Sequence, residues 1–191
     1  MFQKIYALTF ALVITFTLAG CGNKYRVERE GMPEELKTKL EEQINIGEEM
    51  LVEAEDDSAQ EKALLEIAFA NEQLGYFDEA IPVYKKILKN NSTHFPALNN
   101  LAVMYEEVGE FETAAKYYGQ LLEANPNNTE VFSDAIRALV SANHFEDAQI
   151  NLENFVRYNQ NSENSDPKMT KFISDQFEFI RNARLKFQNE N

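Results

Sequence analysis

Leu98, Leu101, Ala102 and Tyr105 stand at i, i+3, i+4 and i+7. That spacing gathers four apolar side chains on one face of a helix and leaves the other face polar. Related stripes occur on both sides. Pro33 followed by Glu34 and Glu35 marks a helix start, because proline fits the first helical position and acids there suit the helix dipole. Leu36, Leu40, Gly47, Leu51 and Ala54 carry that pattern towards Asp56. It admits one packing helix over 33–57 or a helix pair broken near Gly47. Near the other terminus Asp166-Pro167 reads as an N-cap and first helical residue, after the polar hinge 159–166. Met169, Phe172, Ile173, Ile180, Ala183 and Phe187 then form a stripe that Phe177 and Phe179 widen, predicting a terminal helix within 163–191. Its surplus aromatics serve either as a lid or as a docking surface.

Between these flanks the pattern repeats. "GYFDEAIPVY" begins at Gly75, "GEFETAAKYY" at Gly109 and "NHFEDAQINL" at Asn143, a step of 34 residues each time. The step holds for Phe77, Phe111 and Phe145, for Ala80, Ala114 and Ala148, and for Tyr84, Tyr118 and Leu152. Each column has a physical reason. A helix commonly stops on a left-handed residue, usually Gly and sometimes Asn, which accounts for Gly75, Gly109 and Asn143. Asp78, Glu112 and Glu146 fall in the first turn of the next helix, where the dipole favours acids. The alanines are small where two helices cross closely, and the phenylalanines fill the seam. Ser58-Ala59-Gln60-Glu61 reads as a capping box opening the first copy. Pro126 closes a helix in the second. The third copy has Ile136 at the small-residue column and Leu139 at the aromatic one, so its helix pair is expected to sit wider.

A 34-residue period with these columns resembles the tetratricopeptide repeat. The resemblance covers about residues 61–162, as three units at 61–94, 95–128 and 129–162 within a repeat region 58–162. It implies an all-α fold, an α-solenoid of helix-turn-helix units with N- and C-terminal capping helices. In that family the first helices of the units line a concave groove. Carried over column by column, the groove residues are Leu65, Phe69 and Glu72, then Asn99, Val103, Glu106 and Glu107, then Arg137 and Val140. Leu65, Phe69, Val103 and Val140 are expected to form an apolar floor and the glutamates an acidic rim, or the N-terminal helix covers part of it. The columns of the family's two-carboxylate clamp read Leu65, Phe69, Asn100, Glu130 and Asp134; only Asn100 agrees. The implied partner is a protein or peptide segment with apolar anchors and basic flanks, not an acidic C-terminus.

The N-terminal run differs in kind. Lys4 precedes an apolar stretch, Ile5 to Leu18, interrupted only by threonines. It is shorter than the ~20 residues a membrane-spanning helix needs. With small residues behind it, residues 1–20 read as a cleaved export signal. Leu18-Ala19-Gly20-Cys21 resembles the lipobox of bacterial lipoproteins. That resemblance implies an acylated Cys21 as the first mature residue and residues 21–32 as lipidated N-terminus and tether. Gly22, in place of an aspartate, resembles the outer-membrane default. The implied location is the bacterial cell envelope, at the outer membrane facing the periplasm.

Charge narrows the partners. The chain carries 18 basic and 32 acidic residues, net −14; without Lys4 the balance is 17 − 32 = −15. Such a chain repels phosphate backbones and anionic lipid, so no nucleic-acid partner is expected and only the acyl chain holds a membrane. Cys21 is the single cysteine, so no internal disulfide forms. His94 and His144 lie at turns without a catalytic motif, and "AEDDS" at 54–58 lacks the spacing of a calcium loop. No enzyme activity, cofactor, metal or small-molecule substrate is expected. Two readings of function remain. One is a lipid-anchored adaptor working through the groove. The other is a structural subunit of an envelope assembly machine, pilotin-like or outer-membrane-assembly-like, docking through the C-terminal helix.

Overall fold

The computed structural model describes residues 24–160 and 167–191. The export-signal segment, Cys21, Gly22 and Asp166 lie outside the described residues. Among the described residues eight helices follow in chain order: α1 (Glu34–Glu53), α2 (Asp57–Gln73), α3 (Phe77–Asn90), α4 (Phe95–Glu107), α5 (Phe111–Ala124), α6 (Thr129–Ser141), α7 (Phe145–Gln160) and α8 (Pro167–Glu190). No strand occurs among the described residues; one isolated antiparallel bridge pairs Arg26 with Tyr76. The architecture is the all-α, helix-turn-helix arrangement that the period implies. The chain forms two compact units that divide within α3, one up to Val83 and one from Tyr84.

The three turns share one hydrogen-bond pattern. Gly75 N–H donates to the Glu72 carbonyl at 2.9 Å and Tyr76 N–H to that of Asn71 at 2.8 Å. Gly109 and Glu110 repeat this with Glu106 (3.0 Å) and Tyr105 (2.8 Å), and Asn143 and His144 with Val140 (3.0 Å) and Leu139 (2.9 Å). This is the Schellman motif, which satisfies the last carbonyls of a helix through one left-handed residue. The φ values are 77°, 78° and 61°, so Asn143 takes the same left-handed conformation as the two glycines. The other columns are buried as their sizes suggest. Ala80, Ala114 and Ala148 are fully enclosed, as are Phe77, Tyr84, Tyr118 and Leu152, while Phe111 is only half-buried.

Helix starts show one correction. The cap of α2 is Asp56, whose carboxylate accepts from Ala59 N–H at 2.7 Å, and Ser58 already lies inside the helix. Asp56, Asp57 and Ser58 are all cap-forming residue types, so sequence alone misplaces the start by two residues. His94 caps α4 through Nδ1, which accepts from Ala97 N–H at 3.1 Å, and Asn128 caps α6.

In the first unit α1 packs along α2 without a break. Gly47 is buried inside α1 and does not interrupt it. A Cβ there would press on Ile67 Cγ1 and on the backbone around Ala63, so this glycine serves close helix approach. Leu40, Ala70 and Leu74 form a core with Met32, Ile44 and Tyr76 against it.

The segment read as a tether is held to this unit from Tyr25 onward. Tyr25 N–H donates to both Asp78 carboxylate oxygens at 3.2 Å, and Val27 N–H to the Gly75 carbonyl at 2.9 Å. Arg26 pairs with Glu79 at 2.6 Å and lies 3.7 Å over the Tyr76 ring. Arg29 lies 5.4 Å over the Phe77 ring.

In the second unit α4 packs on α5 and α5 on α6. The contact of α6 with α7 is smaller than that of α4 with α5, in keeping with fully buried Ile136 at the small-residue column. α8 closes the end against α6 and α7. Phe132, Ile136, Leu152, Phe155 and Ile180 form the core there, with Phe172 edge-on to Phe132 and Phe155.

Candidate partner-binding site

The groove residues are reached by the first helix of each unit of the repeat, and the Schellman turns fix where those helices stop. In the first unit, α1 approaches α2 along Ala63, Ile67, Ala70 and Leu74. At 100° per residue, Leu65, Phe69 and Glu72 fall on the opposite side of α2. The N-terminal helix therefore packs away from these three. Phe69 is exposed, and Leu65 and Glu72 are half-buried.

In the second unit, Asn99, Val103, Glu106 and Glu107 share one face of α4, and all four are half-buried. Glu106 is not part of a free acidic rim. Its carboxylate accepts Arg137 Nε at 2.7 Å and Nη2 at 3.1 Å, a two-point ion pair joining α4 to α6. Arg137 Nη1 also meets Asp134 at 2.7 Å, and the Tyr118 hydroxyl donates to Glu106 Oε2 at 3.0 Å. Taken singly, each glutamate suggests a free rim; the partner of Glu106 lies one repeat later. Arg137 occupies the column of Val103 one period later, 103 + 34 = 137, and so stands one helical turn before the column of Glu106. Reading adjacent columns together locates the pair; nothing in the sequence marks Tyr118 as a member.

The electrostatics follow from this geometry. Burial pushes the Tyr118 phenol well above its usual range, and the neighbouring Glu106 carboxylate adds to the push. The hydrogen bonds that Arg137 donates to Glu106 hold its guanidinium above its ordinary value, against the opposing effect of burial. Burial likewise raises Tyr117, whose ring stacks on Tyr105 at 5.7 Å. Side-chain exposure is 48% for Arg137 and 20% for Glu106, so one end of the pair remains at the surface.

Val140 is half-buried and packs into the α6–α7–α8 core, so α8 takes part of what was read as groove floor. Gln176 of α8 reaches Ser133 of α6 at 3.3 Å. On α8, Phe177, Phe179 and Leu185 are exposed at 41, 42 and 51%. Phe187, at 40% exposed, leans on Phe145 with ring centres 5.6 Å apart.

His94 is spent on its cap, and His144 stands 3.3 Å from both Glu112 and Asp147. Among the described residues no group of three or more His, Cys, Asp or Glu is placed to hold a metal ion. No helix among them is long and apolar enough to cross a membrane.

Solved structures share this fold. A tetratricopeptide repeat protein from Parabacteroides merdae aligns at TM-score 0.56 and 18% identity over 81% of this chain and 61% of that one. MamA of strain AMB-1 aligns at 0.51 and 20% identity over 66% of each chain. A MamA double mutant from strain RS-1 aligns at 0.53 and 15% identity over 83% of this chain and 95% of its own. The chain thus spans just under two thirds of the length of the first two. A comparison with curated protein sequences finds no match. A family model described as "Psidin, N-terminal TPR repeats region" matches residues 47–164, more than half of the chain. By its period, its turns and that match, the chain belongs to this family of tetratricopeptide repeats.

Proposed function

We propose that this protein is a non-enzymatic protein–protein interaction scaffold, anchored by lipid at Cys21 to a membrane of the bacterial cell envelope. The repeat fold supports the scaffold reading, and the lipobox-like Leu18-Ala19-Gly20-Cys21 supports the anchor. The observation that carries the binding face is on α4. Asn99, Val103 and Glu107 line one side of that helix, beside a Glu106–Arg137 pair whose charges are already matched. A face built this way suits a partner segment with an apolar anchor at Val103. It asks for less basic flanking charge than a free acidic rim would.

A photo-crosslinking amino acid at Val103, in the full-length protein in cells, tests this. One dominant crosslinked protein supports groove binding. The exposed aromatics of α8 favour a second reading, a subunit docked into a larger envelope assembly. Crosslinks at Phe179 with none at Val103 transfer the function to α8.

A further inference from the structure

We propose that residues 25–29 act as a strap that fixes the orientation of the first unit on its membrane, presenting the α2–α3 turn to the lipid surface. The inference rests on the reading of Cys21 as acylated and deepens it. An anchored domain on a loose tether samples all orientations. This segment is not loose, because it makes backbone and side-chain contacts with the turn and with the start of α3.

The backbone contacts are the Val27 N–H bond to the Gly75 carbonyl and the Tyr25 N–H bonds to Asp78. The side-chain contacts are Arg26 with Glu79 and Tyr76, and Arg29 with the Phe77 ring. Gly75 is fitted to the strap as well as to the turn. A Cβ at Gly75 would overlap the Val27 carbonyl oxygen, whereas one at Gly109 would meet nothing within 4 Å. The same turn in the second repeat therefore has open space where the first has the strap.

Chain length turns this contact into an orientation. Cys21 lies four residues before Tyr25, so an extended link between them reaches at most ~14 Å. The α2–α3 turn is then the part of the first unit closest to the acyl chain. The far end of α1 and the start of α2 carry Glu48, Glu49, Glu53, Glu55, Asp56 and Asp57, a charge that anionic headgroups repel. The strap end carries acids too, Glu28, Glu30, Glu34 and Glu35 among them, so the short tether and not charge sets the pose.

The test uses the full-length acylated protein in phosphatidylethanolamine–phosphatidylglycerol vesicles carrying an acceptor dye on the headgroups. With Cys21 acylated, an introduced cysteine is the only free thiol. Donor dyes are attached singly at Gln73→Cys or Ser58→Cys, both exposed and separated along α2 by ~22 Å. Energy transfer to the surface is expected to be severalfold stronger from position 73. In the Arg26→Glu/Val27→Pro variant, which loses the ion pair and the Val27 donor outside the folded core, the difference should collapse. Equal transfer from both positions in the otherwise unaltered chain overturns the proposal, as does an unchanged difference in the strap variant. Mass spectrometry of the N-terminal peptide separates the two readings. An unmodified Cys21 sinks the anchor and with it the strap's role at the membrane. Acylated Cys21 with equal transfer sinks the strap alone.

Discussion

Substituting alanine at Gly75 and at Gly109 separates two demands that one residue type meets. Both glycines have φ near +77°, and alanine in that conformation costs about 1–2 kcal/mol. For Gly109 nothing else changes, since its added methyl meets open space. For Gly75 the methyl overlaps the Val27 carbonyl, so the strap must shift or leave. The further loss is bounded by what the strap contributes. Its backbone bond is worth about 0.5–1.5 kcal/mol. The Arg26–Glu79 pair, with side chains 33 and 44% exposed, adds about 0–1 kcal/mol after solvent screening. Arg26 over Tyr76 adds about 0.5–1 kcal/mol. Ordering the strap residues offsets part of this sum. Gly75→Ala is therefore expected to destabilise by about 1–3 kcal/mol more than Gly109→Ala, read from urea unfolding followed by circular dichroism. Amide exchange at Val27 should accelerate in the Gly75 variant only. In the Arg26→Glu/Val27→Pro background the excess should vanish, since the methyl then has nothing to displace. Equal losses for the two glycines in the unaltered background, within about 0.5 kcal/mol, would refute the reasoning.

Three further outcomes follow from the geometry. His94→Ala should cost about 1 kcal/mol by uncapping α4, while His94→Asp keeps an acceptor for Ala97 N–H and most of the stability; equal losses in denaturant melts would exclude the cap. A double-mutant cycle of Glu106→Gln with Arg137→Met should show a coupling of about 0.5–1 kcal/mol, small because Arg137 is half exposed; zero coupling would mean the pair adds no stability. The raised Tyr118 phenol should make stability fall as pH climbs above its unfolded value of about 10. There the unfolded chain releases the proton and the folded chain keeps it, so the contribution is complete below that pH and lost above it. Tyr118→Phe should flatten this alkaline limb, and an unchanged slope in pH-dependent melts would assign it to other groups.

How much of this was legible in the sequence depends on what each feature answers to. The repeat columns were readable because each reflects a constraint local to one turn. A left-handed residue must stand at 75, 109 and 143, and a small one where two helices cross at 80, 114 and 148. The α2 cap was misplaced because three adjacent residues all suit the role, and geometry selected Asp56. Gly47 looked like a breaker because its use, approach to Ile67, is set by a different helix. The strap was invisible for a stronger reason. Residues 25–29 have no period, and their docking joins backbone groups that any sequence carries to pairs such as Arg26–Glu79 that no spacing rule connects. Glu106 and Arg137 lay between these extremes, and comparison of neighbouring columns would have joined them.

The Schellman turns carry a consequence for how such a chain can lengthen. Each closes the last carbonyls of its helix with its own next two amides, and only the first turn takes further bonds, from the strap. A duplicated stretch of one full period brings a finished corner with it, so growth by whole periods raises no new problem at the bends. The burden falls on the terminus, where α8 must still find an α6–α7 pair of the right width. Copy number can thus drift freely in the middle of such a gene while its last module stays fixed.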